Sequence, residues 1–179
     1  MLRMSDFHLV PHPDKPSVAV TAITVSVTRS GDTLTFTYAV DGDLNRVSWP
    51  APAAAARTDD LWMHTCFEAF VQPVGHAGYV ELNLSPSGRW ASYAFDGHRQ
   101  GMRDAAAIPR VAWSRPTMKA TVDLSEIGGM AWRLGLTAVI EASDGSKSFW
   151  ALEHAPGAPA PDFHNADCFI ATLPAPTAP

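Results

Sequence analysis

Glu68 and Glu81 are the residues of this chain best suited to acid–base work. Each sits in a short stretch with strand-like alternation, and carboxyls on neighbouring strands can lie the roughly 5–10 Å apart that glycoside hydrolysis uses. The same stretches also carry Trp62, His64, Asn83 and Trp90, with Arg57 just upstream and Arg99 just downstream. That company suits recognition: the C–H groups of a sugar ring pack on an indole while amides and carboxylates hydrogen-bond its hydroxyls. The chain has no GxSxG motif, no phosphate-cradling glycine loop and no histidine–cysteine pairing of nucleophile type. Binding without chemistry is therefore the expectation, with a glycosidase-like enzyme as the catalytic alternative.

The elements that would position these groups are strands. In 79–85 the apolar Val80, Leu82 and Leu84 share one face of a pleat and Tyr79, Glu81, Asn83 and Ser85 share the other. In 65–71, Thr65, Phe67, Ala69 and Val71 point to the core, leaving His64, Cys66 and Glu68 on the polar side. If Ser85-Pro-Ser-Gly88 closes a hairpin through a loop of two or four residues, Asn83 lies opposite Trp90 and Glu81 opposite Ser92, which places an aromatic beside the amide and carboxylate. A second hairpin is written in the alternation of 23–28 and 34–40 around Gly31-Asp32. Further strands are expected at 90–95, 111–113, 118–124, 132–141, 148–153 and 168–173, about ten in all. Turn residues at Asp41-Gly42, Asp96-Gly97, Gly128-Gly129 and 143–146 separate them.

No stretch keeps helical periodicity; the alanines of 51–56 support one helical turn at most, just after Trp49-Pro-Ala-Pro52. The fold class is all-β, an antiparallel β-sandwich or jelly roll of about ten strands with little helix. One domain fills 1–179, with an N-terminal segment 1–16, a proline-rich surface loop at 155–161 and a disordered tail 174–179.

Composition narrows the partners. Apolar residues make up 46% of the 179, enough for one core, while a charged fraction of 17% and a net charge of −5 leave no positive field for phosphates, so nucleic acid is not an expected partner. No apolar run resembles a signal peptide or approaches the ~20 residues of a membrane helix, so a cytoplasmic protein with no membrane partner is expected. Cys66 and Cys168 belong to no CxxC pair and read as free buried thiols. Trp49, Trp113 and Trp132 read as core or rim packing. The sequence carries no signal for oligomeric state.

His154 and His164 flank the proline loop and could meet at one end of the fold with Asp162 or Asp167 as a metal site; capping of backbone groups is the simpler role, and no cofactor is expected.

The run Arg57…Asp60-Leu-Trp-Met-His-Thr-Cys-Phe-Glu-Ala-Phe, together with Asn83-Leu-Ser-Pro-Ser-Gly-Arg-Trp-Ala-Ser-Tyr, Phe95-Asp-Gly-His-Arg99-Gln-Gly-Met, Phe149-Trp150-Ala-Leu-Glu-His154 and Pro161-Asp-Phe-His164, resembles the DOMON-like proteins grouped with family 9 carbohydrate-binding modules. The likeness covers roughly residues 10–173. It implies a β-sandwich that holds a saccharide between two tryptophans, a role that falls by motif position on Trp62 and Trp150, with Arg99, Glu68 and Asn83 as polar partners. It also implies an alternative, since other DOMON-like domains hold haem through histidine, methionine or lysine; Met63, Met102, His64 and His98 are the residues available here. A protein-interaction module is the remaining class.

Overall fold

The computed structural model describes residues 3–176, the side chains of Arg3 and Met4 excepted. Twelve strands carry the chain: β1 (Arg3–Pro11), β2 (Val20–Ser30), β3 (Thr33–Gly42), β4 (Cys66–Pro73), β5 (Tyr79–Leu84), β6 (Trp90–Phe95), β7 (Arg103–Asp104), β8 (Arg110–Ser114), β9 (Thr117–Asp123), β10 (Trp132–Glu141), β11 (Lys147–Ala151) and β12 (Ala171–Leu173). Among the described residues helix is confined to four short 3-10 turns. Every strand pairing is antiparallel.

The strands form one hydrogen-bonded path, β7-β6-β5-β4-β10-β11-β1-β2-β3-β9-β8, with β12 added to β10. Strand β1 belongs to both halves, pairing β2 along Arg3–Leu9 and β11 through Val10 and Pro11. The path curls so that its two halves share a core. Phe36, Tyr38, Val25 and Val27 from one half and Phe67, Ala69, Leu82, Leu84 and Leu136 from the other are all buried in one cluster. Tyr38 crosses that core to donate a hydrogen bond to the Glu68 carbonyl at 2.6 Å. Its ring lies 5.1 Å from that of Phe67.

Local chemistry accounts for the pairings. The β2–β3 hairpin turns on two residues, Gly31 and Asp32, with Gly31 at φ +59°, a conformation glycine takes without steric cost. Trp132 is fully buried beneath the Arg29 guanidinium, 3.4 Å above the ring. Trp49 and Trp113 pack tilted against each other, ring centroids 4.7 Å apart, at the core, as expected of packing residues.

Four expectations change. The N-terminal segment contains β1, in which Phe7 and Leu9 point inward and Asp6, His8 and Val10 outward; the short inward alternation and the nearby prolines hid this strand. Residues 51–56 form no helical turn, because the flanking bond from Ala53 N goes to Ser87 O and holds the segment extended along the 85–89 loop. Residues 166–168 form a 3-10 turn, so the last strand begins at Ala171. At the other end of the tail, Arg29 Nη1 donates to the Pro174 carbonyl at 2.9 Å, so the tail starts anchored. The disorder expected for 177–179 lies outside the described residues.

Candidate functional site

The alternation in β5 does what its pattern dictates. Val80, Leu82 and Leu84 enter the core, and Glu81 and Asn83 share the opposite face with Glu68 and Phe70 of β4, in the register Glu68 with Asn83 and Phe70 with Glu81. On the same face β10 adds Thr137 and Val139, and β11 adds Phe149.

This outer face is not left to solvent. The segment before β4 brings Asp59, Asp60 and Trp62 over it, the 96–104 loop brings Arg99 and Met102, and the 155–166 segment brings Phe163 and His164. Together they enclose a cleft of about 730 Å³, within the range of small-molecule sites.

The covering segments are fixed by an aromatic cluster at one end of the face. Phe70 stacks on Phe169 at 5.5 Å and Tyr79 on Phe95 at 4.9 Å, with His164 edge-on to Phe70 and Phe95. Gly135 in β10 permits this, since a Cβ there would stand 2.5 Å from the Phe169 ring. His164 Nδ1 shares a 2.7 Å hydrogen bond with the Tyr79 hydroxyl, which also accepts from Arg99 N at 3.2 Å. Asp162 joins the two loops, accepting from Arg99 Nη2 at 3.0 Å and pairing with His98 Nε2 at 2.8 Å. Asp60 and Arg99, the two non-glycine residues at positive φ among those described, both line the cleft, the kind of place where backbone strain is held for function.

The floor is polar and buried. Glu68 is 3% exposed and Asn83 1%. Thr137 Oγ1 donates to Glu68 Oε2 at 3.1 Å and Asn83 Nδ2 donates to Glu81 Oε1 at 3.1 Å. The remaining amide oxygen, Asn83 Oδ1, has no hydrogen-bond partner among the described residues, and an unmet buried acceptor costs about 1–3 kcal/mol.

Burial raises both carboxyls, that of Glu68 to about 8 with the help of the Glu81 charge, and that of Glu81 to about 7 against the pull of Asn83 and Arg99. Burial and the nearby Arg99 cation lower His164 to about 4. Its Nε2 lies 3.6 Å from Glu81 Oε2, but an imidazole that is neutral at pH 7 makes that contact polar rather than ionic. Tyr93, whose hydroxyl donates to Asp59 Oδ1, is raised by burial and by that bond.

Of the nine residues expected to bind a ligand, the cleft gathers Trp62, Glu68, Glu81, Asn83 and Arg99. Four lie elsewhere. Trp150 is 3% exposed in the central core, its indole donating to Ser148 Oγ at 3.0 Å. It cannot clamp a ligand opposite Trp62, and the alternation of β11 turns its neighbour Phe149 to the cleft instead.

Trp90 is displaced by one residue of register. The turn after β5 spans five residues, closed by Ser85 N to Arg89 O, so Leu84 pairs with Trp90, Asn83 with Ala91 and Glu81 with Tyr93. A one-residue slip exchanges faces, so Ala91 stands opposite Asn83 where the indole was expected and Tyr93 stands opposite Glu81 where Ser92 was expected. Arg57 packs over Trp90 at 4.7 Å and donates to the carbonyls of Ser92 and Ala105, which ties down the sheet edge outside the cleft. His64 is an exposed neighbour, 2.7 Å from Glu141 Oε2.

The metal candidates do not converge. His154 Nε2 bonds the Val10 carbonyl at 2.9 Å, a backbone cap, while His164 and Asp162 have the partners given above. Asp167 N is bonded within its own turn to Asn165. Among the described residues no group of three His, Cys, Asp or Glu side chains is disposed to hold a metal ion. Of the candidate haem ligands Met63, Met102, His64 and His98, Met102 alone lines the cleft, half-exposed at its rim. Cys66 and Cys168 are free and buried.

Sequence reasoning missed Asp59, Tyr93, Phe95, Phe149 and Phe163. The correct register would have revealed Tyr93 and Phe95, and alternation against a core Trp150 would have revealed Phe149. Asp59 and Phe163 come from loops, where no periodicity marks the side that faces inward.

No helix among the described residues is long and apolar enough to cross a membrane. No family model and no curated protein is similar in sequence to this chain. In structure it is similar to a crystallised protein of Bacteroides uniformis named a "putative carbohydrate-binding protein", with a TM-score of 0.67 over 97% of this chain and 86% of that one, at 14% identity. At that identity the likeness is one of fold: an all-β, antiparallel, curled sheet.

Proposed function

We propose that the cleft binds a carbohydrate and leaves it chemically unchanged. One observation carries this reading: a buried floor of Glu68, Glu81 and Asn83, with an amide oxygen unpaired among the described residues, lies beneath walls that include Trp62, Tyr93, Phe95, Phe149 and Phe163. Aromatic planes for ring C–H groups over hydrogen-bonding groups for hydroxyls are what a pyranose requires. Trp62, 52% exposed at the mouth, supplies a stacking plane free to meet a ligand. The name of the Bacteroides uniformis neighbour points to the same ligand class, as does the resemblance of 57–70 and 83–93 to the DOMON-like proteins of the family 9 group. The curled sheet is read on this account as a sandwich joined through β1.

Hydrolysis is the second reading, drawn from the two raised carboxyls, because perturbed acids gather at catalytic sites. Their arrangement favours binding. A glycosidase flanks the scissile bond with its two acids, whereas Glu68 and Glu81 both rise from the floor as diagonal neighbours on adjacent strands, Glu68 opposite Asn83 and Glu81 opposite Phe70. The reading needs no cofactor.

Tryptophan fluorescence titrated with mono- and oligosaccharides tests it. Trp62 is the most exposed of the six indoles, so a bound sugar shifts emission, and Trp62→Ala removes the response while Trp90→Phe keeps it. A flat response across the panel contradicts binding. Release of a chromophore from aryl glycosides, abolished by Glu81→Gln, contradicts the non-catalytic half.

A further inference from the structure

The floor is rich in acceptors and short of donors. The one amide N–H known to act there, from Asn83 Nδ2, is spent on Glu81 Oε1, and the Thr137 hydroxyl is spent on Glu68 Oε2. What remains is acceptor capacity: the unpaired Asn83 Oδ1, 1% exposed, and two carboxyl groups beside it. The arginines on the lining are committed to acids outside it. Arg99 Nη2 bonds Asp162, and Arg103 Nη1 bonds Asp96 at 2.8 Å.

From this geometry, and resting on the carbohydrate reading above, we infer that the preferred ligand is an amino sugar whose ammonium group sits on the Glu68–Glu81–Asn83 floor. An ammonium brings three N–H donors and no acceptor, so it can satisfy the orphan amide oxygen and both carboxyls at once. A hydroxyl brings one donor. A uronic acid would bring another acid beside two carboxyls that already resist ionising together, with like charges in a buried site. Burial, and for Glu68 the neighbouring Glu81 charge, raise both carboxyls, and an ammonium at hydrogen-bond distance would favour their charged forms. The aromatic walls add to it, as a cation near indole, phenol or phenyl faces is attracted to the ring quadrupole.

Isothermal titration calorimetry with oligomers of glucosamine, N-acetylglucosamine and glucose of the same linkage and length, at neutral pH, where the amine can keep its proton and the raised carboxyls can give theirs up, tests the inference. The glucosamine oligomer is expected to bind about tenfold or more tighter than the glucose oligomer, the step from a neutral to a charge-assisted hydrogen bond. Glu81→Gln, which keeps shape and removes charge, should shrink that preference to about twofold. Circular dichroism confirms that the variant is folded. Equal or weaker binding of the glucosamine oligomer overturns the charge preference and leaves the carbohydrate reading intact. If no oligomer binds, both fall.

Discussion

Strands β2 and β3 and strands β4 and β5 send the same kind of apolar face into one core, yet their other faces differ. On β2 and β3 that face carries Thr24, Ser26, Thr28, Thr35 and Thr37, half-exposed and satisfied by water or by each other, as in the 3.0 Å pair between Thr35 and Thr121. On β4 and β5 every residue is buried, and what is buried includes Glu68, Glu81 and Asn83. A face covered for stability alone would be mostly aromatic and aliphatic with its polar groups paired, as its Phe70–Tyr79–Phe95–Phe169 end is. Placing two acids and an unmet acceptor at the other end costs folding energy. That cost marks the binding floor more firmly than exposure or charge would.

The comparison breaks most sharply on the inner face. Phe67→Ala removes a fully buried ring that packs against Tyr38 and Trp113, with an expected loss of about 3–5 kcal/mol in denaturant unfolding. A loss under about 1 kcal/mol would mean that this half of the sheet is not a shared core.

On the covered outer face the sign reverses. A carboxyl raised in the folded chain holds its proton longer there than in the unfolded chain, so stability is fully present below the ordinary carboxylate range and is lost as pH rises through about 7 and about 8. His164, lowered to about 4 from 6.5, acts only on the acid side, costing stability as pH falls below its ordinary value. From about pH 6.5 to about pH 9 the unfolding temperature should therefore fall, by at least about 3 °C. Glu68→Gln and Glu81→Gln should each flatten that slope. A slope unchanged in both variants would place the titration elsewhere.

The smallest effect belongs to the open face. Thr35→Ala should change stability by less than about 1 kcal/mol, because water replaces the lost hydroxyl pair. Chemical denaturation at one pH measures it.

Much of this was legible in the residues. Strict alternation fixed the faces of β4 and β5, and with them the companionship of Glu68, Glu81 and Asn83, because one periodicity decides both core and site. Register was not legible: a turn of five residues in place of two or four moved Trp90 off the floor and put Tyr93 on it. Trp150 was read as a ligand clamp by motif position, yet its burial is decided by β11 lying between β10 and β1, a long-range pairing that no local pattern shows. Nor could spacing show that His164 would be drawn into the cleft by Tyr79 while His154 capped Val10.

The most direct measurement of the central claim is a heteronuclear NMR titration with a bound oligosaccharide, following the Asn83 side-chain amide and the six tryptophan indole N–H signals. Binding in the cleft predicts large shifts for the Asn83 amide and the Trp62 indole, with those of Trp132 and Trp150 unmoved. Shifts centred on the shallower groove between Pro73 and Met130, or none at saturating sugar, would contradict it.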